Sequence, residues 1–161
     1  AKSHTWHNAP EINGVIDMPK STSLCNSLLA LLYNATAIAD VAENDSSSPM
    51  TNTYMSLHSA SLSGASSQAT SETNYTDYAR VAVARSTSGW TAPSGGATEN
   101  VAAIEFPQCG VTGQTITAGA VGKDSSGAGI VWHYGDLNAS IAVSNQIQPR
   151  FPAGAVTITE T

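Results

Sequence analysis

The feature that most restricts the fold of this chain is a change of hydrophobic periodicity at Pro49. Beyond it, apolar and polar residues alternate in short segments, which are separated by turn-forming runs such as APSGGAT and KDSSGAG. A period of two is typical of strands that bury one face. The predicted strands cover residues 52–58, 78–85, 101–106, 115–121, 129–135, 139–144 and 155–160. This spacing predicts a mainly β fold, an antiparallel β-sandwich with a jelly-roll-like arrangement.

One N-terminal α-helix is predicted before the strands, over residues 22–43. Ser21 or Ser23 can cap it, because a serine hydroxyl accepts hydrogen bonds from the free amides of the first turn. The helix ends before Pro49, which disfavours helical backbone at the residue preceding it. Its apolar positions recur at helical spacing and form one face: Leu24, Leu28, Leu31, Leu32, Ala35, Ile38, Ala39 and Ala42. We expect this face to pack on the sheets or to reach a neighbouring subunit.

Residues 1–20 have no clear period and are predicted to form an extended N-terminal arm that precedes a helix and β-sandwich domain at 21–161. Pro10, Gly14 and Pro19 interrupt the arm. It is too apolar for a free tail, so we expect it to pack on its own domain or on a neighbouring subunit. The predicted interface residues of the arm are Trp6, Ile12, Val15 and Ile16.

Charge is sparse in this chain and excludes several classes of partner. Only 11% of the 161 residues are charged, against about 25% in an average soluble protein. The six Lys and Arg residues are scattered and the net charge is −6, so we expect no nucleic-acid partner, since such binding depends on phosphate neutralisation. The longest apolar run, LLALLY, is too short to span a membrane. No secretory signal is evident in the N-terminal residues, so we expect assembly in a cytoplasm.

The two cysteines, Cys25 and Cys109, leave two alternatives open. They could form one disulfide between the helix and a strand end, or they could be two small buried apolar residues. They do not form a CxxC pair.

The histidines are the main candidates for chemistry, and none has a convincing set of partners in the sequence. His4 and His7 form an HxxH that lacks a third metal ligand nearby. His58 and His133 each lie at a predicted strand end, where Glu72, Asp77 or Asp136 could join them. A GxSxG nucleophile motif and a phosphate-binding loop are absent from the sequence. We therefore expect no enzyme activity, no catalytic residues, no metal and no cofactor.

Trp90 and Trp132 are the remaining candidates for binding. A tryptophan on a β-surface can stack on a sugar, but it is more often a core residue or an interface anchor. We predict a protein interface for both residues and keep a ligand contact as the alternative.

Four short segments together resemble a family of small structural proteins of tailed bacteriophages. They are NATAIA at 34–39, LHSA at 57–60, YAR at 78–80 and FP at 106–107, followed by a closing β-rich run, GAGIVWHYGDLNASIAVSNQIQPRFPAGAVTIT. The resemblance covers residues 21–161. The chain departs from it at 59–64, where SASLSG replaces a segment that is commonly TADPG in the family.

The resemblance implies a virion structural protein. Its first implication is a capsid decoration (cement) protein, a homotrimer on the capsid exterior that binds and stabilises the shell of the major capsid protein. The alternative is a tail fibre or tail-tip protein involved in host attachment, with exposed tryptophans on a host glycan. The family motif carries no catalytic residue.

Overall fold

The computed structural model describes residues 22–38 and 50–160. The helix α1 comprises Thr22–Tyr33. Eight strands follow, and their bounds are β1 Asn52–His58, β2 Val81–Ala84, β3 Ala97–Glu99, β4 Ile104–Glu105, β5 Gln114–Gly122, β6 Val131–Val143, β7 Arg150–Phe151 and β8 Thr157–Thr159. The fold is mainly β with antiparallel pairing throughout, as the sequence predicts. The jelly-roll arrangement stays a prediction.

The helix is shorter than predicted. It ends at Tyr33 rather than at residue 43, and residues 34–38 are not helical; the remainder of the predicted segment lies outside the described residues. Two features accompany the end of the helix. Ala35 adopts a left-handed backbone conformation, with φ of 54°. The Arg85 guanidinium donates to the carbonyls of Leu31 and Leu32. The last carbonyls of a helix have no partner within it, so the half-buried Arg85 cation satisfies them and favours termination.

The strands form one sheet of four and two sheets of two. The order in the large sheet is β2-β1-β5-β6, while β3 pairs with β8 and β4 pairs with β7. The sequence prediction places β1 at its observed bounds and finds β2, β4, β5 and β8 with shifted ends. The prediction of two separate strands at 129–135 and 139–144 is wrong, since the structure has the single strand β6 there. It also lacks β3 and β7, which have three and two residues.

The core lies on the face of the large sheet that carries Met55, Leu57 and Val83. The α1 side chains of Leu29 and Tyr33 join it, as do side chains from the two small sheets, including Ile104 and Ile158. Burial on this scale is the main favourable term in folding. Cys25 and Cys109 are both free and buried, which confirms the alternative of two buried thiols.

The second face of the large sheet is covered by the segment between β1 and β2. Arg80 anchors this cover: it donates to both carboxylate oxygens of Glu72, at 2.7 and 2.8 Å, and to the carbonyls of Asp124 and Gly127. Tyr78 also donates to Glu72, at 3.0 Å. The arginine thus ties the segment after β1 to the segment after β5. No helix among the described residues has the length and apolar character that a membrane span requires.

Candidate binding surface

The strand β6 is the most exposed long element of the large sheet. It lies at the end of the strand order, and within the described residues it pairs only with β5. From Tyr134 to Ala142 every residue is exposed except Leu137, which is half-buried. Its sequence VWHYGDLNASIAV contains one carboxylate, Asp136, and no Lys, Arg or Pro. Edge strands normally carry charged residues or proline, because these residues prevent pairing with another strand. An exposed edge of this length with a single charged residue is therefore a candidate contact surface.

A large bulge divides β6 into two halves. Ile116 pairs with Ile141 and Ala118 pairs with Asp136. One residue of β5, Thr117, therefore opposes the four residues 137–140 of β6, which is three more than regular pairing allows. A bulge bends its strand and changes the direction of the side chains beside it. The bulge lies beside a cavity on this surface, which Leu137 helps to line.

That cavity is a groove between β6, Phe151 and the segment 155–159, with a volume of about 300 Å³. Two paired glycines, Gly119 and Gly135, lie in its lining. A Cβ atom at Gly135 would meet no atom within 4 Å, so this part of the groove is open, whereas one at Gly119 would meet the side chains of Met55 and Phe151. The groove is open at Gly135, which has no side chain to fill it, while the lack of a side chain at Gly119 leaves room for Met55.

A hydrogen-bonded chain of three side chains fixes one wall of the groove. The buried Tyr33 hydroxyl lies 2.6 Å from Nδ1 of His133, and Nε2 of His133 lies 3.1 Å from the Glu160 carboxylate. Burial, with a smaller contribution from Glu160, raises the pKa of Tyr33 far above its ordinary value, so this hydroxyl keeps its proton and can donate to Nδ1 of His133. Nε2 donates to the Glu160 carboxylate, because an ionised carboxylate can only accept. Both ring nitrogens of His133 are occupied, and the chain joins α1, β6 and the residue after β8.

The structure also locates His58, the other histidine singled out in the sequence. Its side chain is fully buried, with Nδ1 2.9 Å from the Thr70 carbonyl and Nε2 2.9 Å from the Ser56 hydroxyl. Burial lowers the pKa of His58, although the Thr70 carbonyl and Glu72 oppose this effect and Arg80 adds to it. His58 faces the covered side of the sheet with Ala118, while His133 shares the opposite face with Val121. The two histidines therefore do not meet.

The predicted interface tryptophans have different positions. Trp90 has no accessible surface; its indole nitrogen donates to the Thr53 hydroxyl at 3.1 Å, and its ring packs edge-on against Tyr33. Trp90 is therefore a core residue of this domain, and its ring has no accessible surface for the predicted interface or for a ligand. Trp132 is half-buried beside Tyr33, and its interface role stays a prediction. The predicted arm contacts Trp6, Ile12, Val15 and Ile16 lie outside the described residues.

Of the residues that line the groove, the sequence analysis names only His133 and Asp136 as candidates for function. The available signal is the pair of glycines inside predicted strands, at 119 and 135. Sequence alone interprets Gly119 as part of a turn or as close backbone packing, and the structure supports close packing within β5. The pairing of Gly119 with Gly135 depends on the sheet register, which sequence does not specify here. Among the described residues, no three His, Cys, Asp or Glu side chains are grouped closely enough to hold a metal ion.

Comparison with known proteins gives one finding on the family. Residues 21–159 match a family model described as podophage GP4 fiber I protein gp80. The match includes α1 and all eight strands. A search of curated proteins gives no match.

Proposed function

We propose that this chain is a subunit of a tail fibre. The premise is that it belongs to the family described as podophage GP4 fiber I protein gp80. As a member of this family it is a structural protein of the phage virion. In the proposal it contacts its partners through the edge and the groove of β6.

The observation that carries the proposal is the extent of the family match, which includes every strand that forms the exposed surface. The surface itself fits a binding role. It combines a 13-residue edge strand with a groove of about 300 Å³, and ligand sites prefer concave, preformed surfaces. The few charges on β6 favour contact with a neutral surface over contact with nucleic acid.

The experiment that tests the location is the copy number of this chain in purified virions. Quantitative mass spectrometry should give a number close to that of the other tail proteins, and gold-labelled antibodies should bind at the tail in electron micrographs. A copy number close to that of the major capsid protein, with gold on the head, would overturn the proposal.

A second candidate function is capsid decoration, in which a homotrimer binds the major capsid protein on the capsid exterior. One specific observation favours it: the apolar arm residues Trp6, Ile12, Val15 and Ile16 precede the matched range, as expected of a separate anchor. In this candidate, deletion of residues 1–20 abolishes attachment to heads while the domain stays folded. Normal occupancy of heads by the truncated protein would contradict it. The mutant virion with its wild-type protein restored in trans is the control.

A further inference from the structure

We infer that residues 11–18 of the N-terminal arm add a strand to the outer edge of β6 and cover this edge in the free protein. The biological meaning rests on the proposed function, because the arm and a partner in the fibre then compete for the same edge. The covering itself depends only on the edge and on the sequence of the arm.

The edge of β6 has the properties of a strand that needs a cover. From Tyr134 to Ala142 the residues are exposed on both faces of the sheet, apart from the half-buried Leu137. The opposite edge strand of the same sheet, β2, has only four residues and is flanked by Arg80 and Arg85. Natural proteins protect sheet edges with short strands, with charges or with a covering segment. Because β6 is long and has a single carboxylate, a covering segment is the protection left to it.

The arm joins the domain on the side that carries the groove. The Asn26 side chain of α1 accepts a hydrogen bond from the Gly96 amide at 2.6 Å. The Gly96 carbonyl accepts from the Glu160 amide at 2.8 Å, and the Glu160 carboxylate lies 3.1 Å from His133 of β6. The start of α1 is therefore close to the end of β8 and to β6. Residues 1–21 precede the helix and span up to about 70 Å when fully extended, which brings β6 within their reach.

The segment EINGVIDM, residues 11–18, is the part of the arm suited to pair with a strand. The arm as a whole has no clear period, but apolar and polar residues alternate between Pro10 and Pro19. The even-numbered positions are Ile12, Gly14, Ile16 and Met18, and the odd-numbered positions are Glu11, Asn13, Val15 and Asp17. Such alternation is the pattern of a half-buried strand. Proline cannot donate to a ladder, so the two prolines limit the strand to this segment.

The apolar face of the segment complements the side of β6 that carries the groove. Met55, Phe151 and Val156 supply apolar surface in the groove, which is open at Gly135. A strand paired with β6 that directs its even-numbered residues to this side extends the apolar surface and removes part of it from water.

The polar face of the segment then lies on the side of Asp136. The pairing of Asp136 with Ala118 places this carboxylate on the face opposite the groove. Glu11 and Asp17 lie at the two ends of the segment, so a register with Asn13 opposite Asp136 keeps the carboxylates apart. The Asn13 amide group can donate to Asp136 in that register.

Hydrogen exchange of the full chain, measured by mass spectrometry, tests the inference. Alternate residues of an antiparallel strand direct their amides to opposite sides, so an uncovered edge leaves part of the amides of 134–142 unprotected. We expect these outward amides to be protected, and equally so at low and high protein concentration, because the covering segment belongs to the same chain. Outward amides that exchange as unprotected backbone would overturn the inference. Protection that appears only at high concentration would also overturn it, because a second copy would then supply the cover.

Two pairs of substitutions in the arm locate the covering segment. Ile12→Ser with Ile16→Ser removes the apolar face and should speed the exchange of the outward β6 amides by about tenfold or more. Asn13→Ser with Val15→Ser changes the opposite face, leaves the net charge the same and is the matched control, which should exchange as the wild type does. The amides of β1, which is paired on both sides, report in each variant whether the domain itself stays folded.

Unchanged β6 exchange in the isoleucine pair, or equal acceleration by the two pairs, would overturn the inference. These outcomes are separate from the test of the proposed function. A head location for the protein would refute the fibre proposal and leave the exchange measurements as they are, while an uncovered β6 edge would leave the copy number unchanged.

Discussion

Two ion pairs of this chain show how strongly burial affects the contribution of a charged residue to the stability of the fold. The Arg80 side chain is 2% exposed and forms a two-point contact with Glu72, whose side chain is 19% exposed. The hydrogen bonds to Glu72 raise the pKa of Arg80 above its ordinary value. Arg150 and Glu105, in contrast, are 63% and 53% exposed and lie 3.9 Å apart. Removal of one partner is costly only where the other charge stays buried.

Arg80→Ala should therefore lower the free energy of unfolding by about 3 kcal/mol or more, because it leaves the Glu72 carboxylate without its cation. The matched control, Arg150→Ala, should change it by less than about 1 kcal/mol, as exposed pairs do. Urea unfolding followed by circular dichroism measures both. Equal losses in the two variants would contradict this view of the buried pair.

The second residue-scale prediction concerns pH. The pKa of His58 is lowered in the folded chain, so below about pH 6.5 the unfolded chain binds a proton that the folded chain does not yet bind. The stability contributed by neutral His58 is therefore complete above its unfolded pKa and is lost as the pH falls toward its lower folded pKa.

The free energy of unfolding should fall more steeply between about pH 6.5 and 5 in the wild type than in His58→Gln. Urea unfolding at a series of pH values measures the two slopes, and the slopes rather than the absolute stabilities are compared. Parallel curves for the two proteins would contradict the prediction.

At the residue scale, the sequence identifies His58 but not its environment. Whether a histidine at the end of β1 is open or covered depends on the long segment after β1, and this segment has no periodic pattern. Trp90 shows the same limit: its type is compatible with a core or an interface, and only the contact with Tyr33 distinguishes them.

The elements themselves are predictable to the extent that they repeat a pattern. The strand β1 has a clear alternation and was predicted at its observed bounds, whereas β3 and β7 are too short to show any period. The sequence predicts a longer helix, because no glycine or proline marks the end of α1 at Tyr33. Arg85 contacts the end of the helix, but it lies 52 residues after Tyr33 in the sequence. The two are brought together only in the folded chain.

Arg85→Ala should lower the free energy of unfolding by about 2 kcal/mol, because hydrogen bonds from a cation to the carbonyls of Leu31 and Leu32 are lost in a partly buried setting. Arg85→Lys retains the charge but not the two-pronged geometry, so its loss should be intermediate. Urea unfolding measures both variants. A lysine variant as unstable as the alanine variant would show that the charge near the helix end contributes nothing.

At the scale of the whole molecule, the described residues leave one side of β6 exposed. Tyr134 and Ile141, on β6, are 46% and 39% exposed, and the edge beside them has a single carboxylate. The sequence predicts a phage virion structural protein and a mainly β fold, because resemblance and periodicity are both readable along the chain. It did not predict this surface, because the surface depends on which strand ends the sheet.

If copies of this chain associate, as proposed for a homotrimer, the edge of β6 is the favoured contact. Ile141→Lys should then weaken self-association by about tenfold, since a lysine is the residue that natural edge strands use against pairing. The control is Val111→Lys, which adds the same charge at a residue that is 84% exposed and lies outside β6. Analytical ultracentrifugation measures the association of both variants. Equal association in the two variants would exclude the edge of β6 as the contact.

The bulge in β6 also determines where foreign sequence can be introduced. The pairs on its two sides, Ala118 with Asp136 and Ile116 with Ile141, set the registers of the two halves separately. A peptide inserted between Asn138 and Ala139, both exposed, would lengthen a segment that already lacks regular pairing. This position is therefore suited to the display of an epitope or an affinity tag on the domain without displacing either half of the strand.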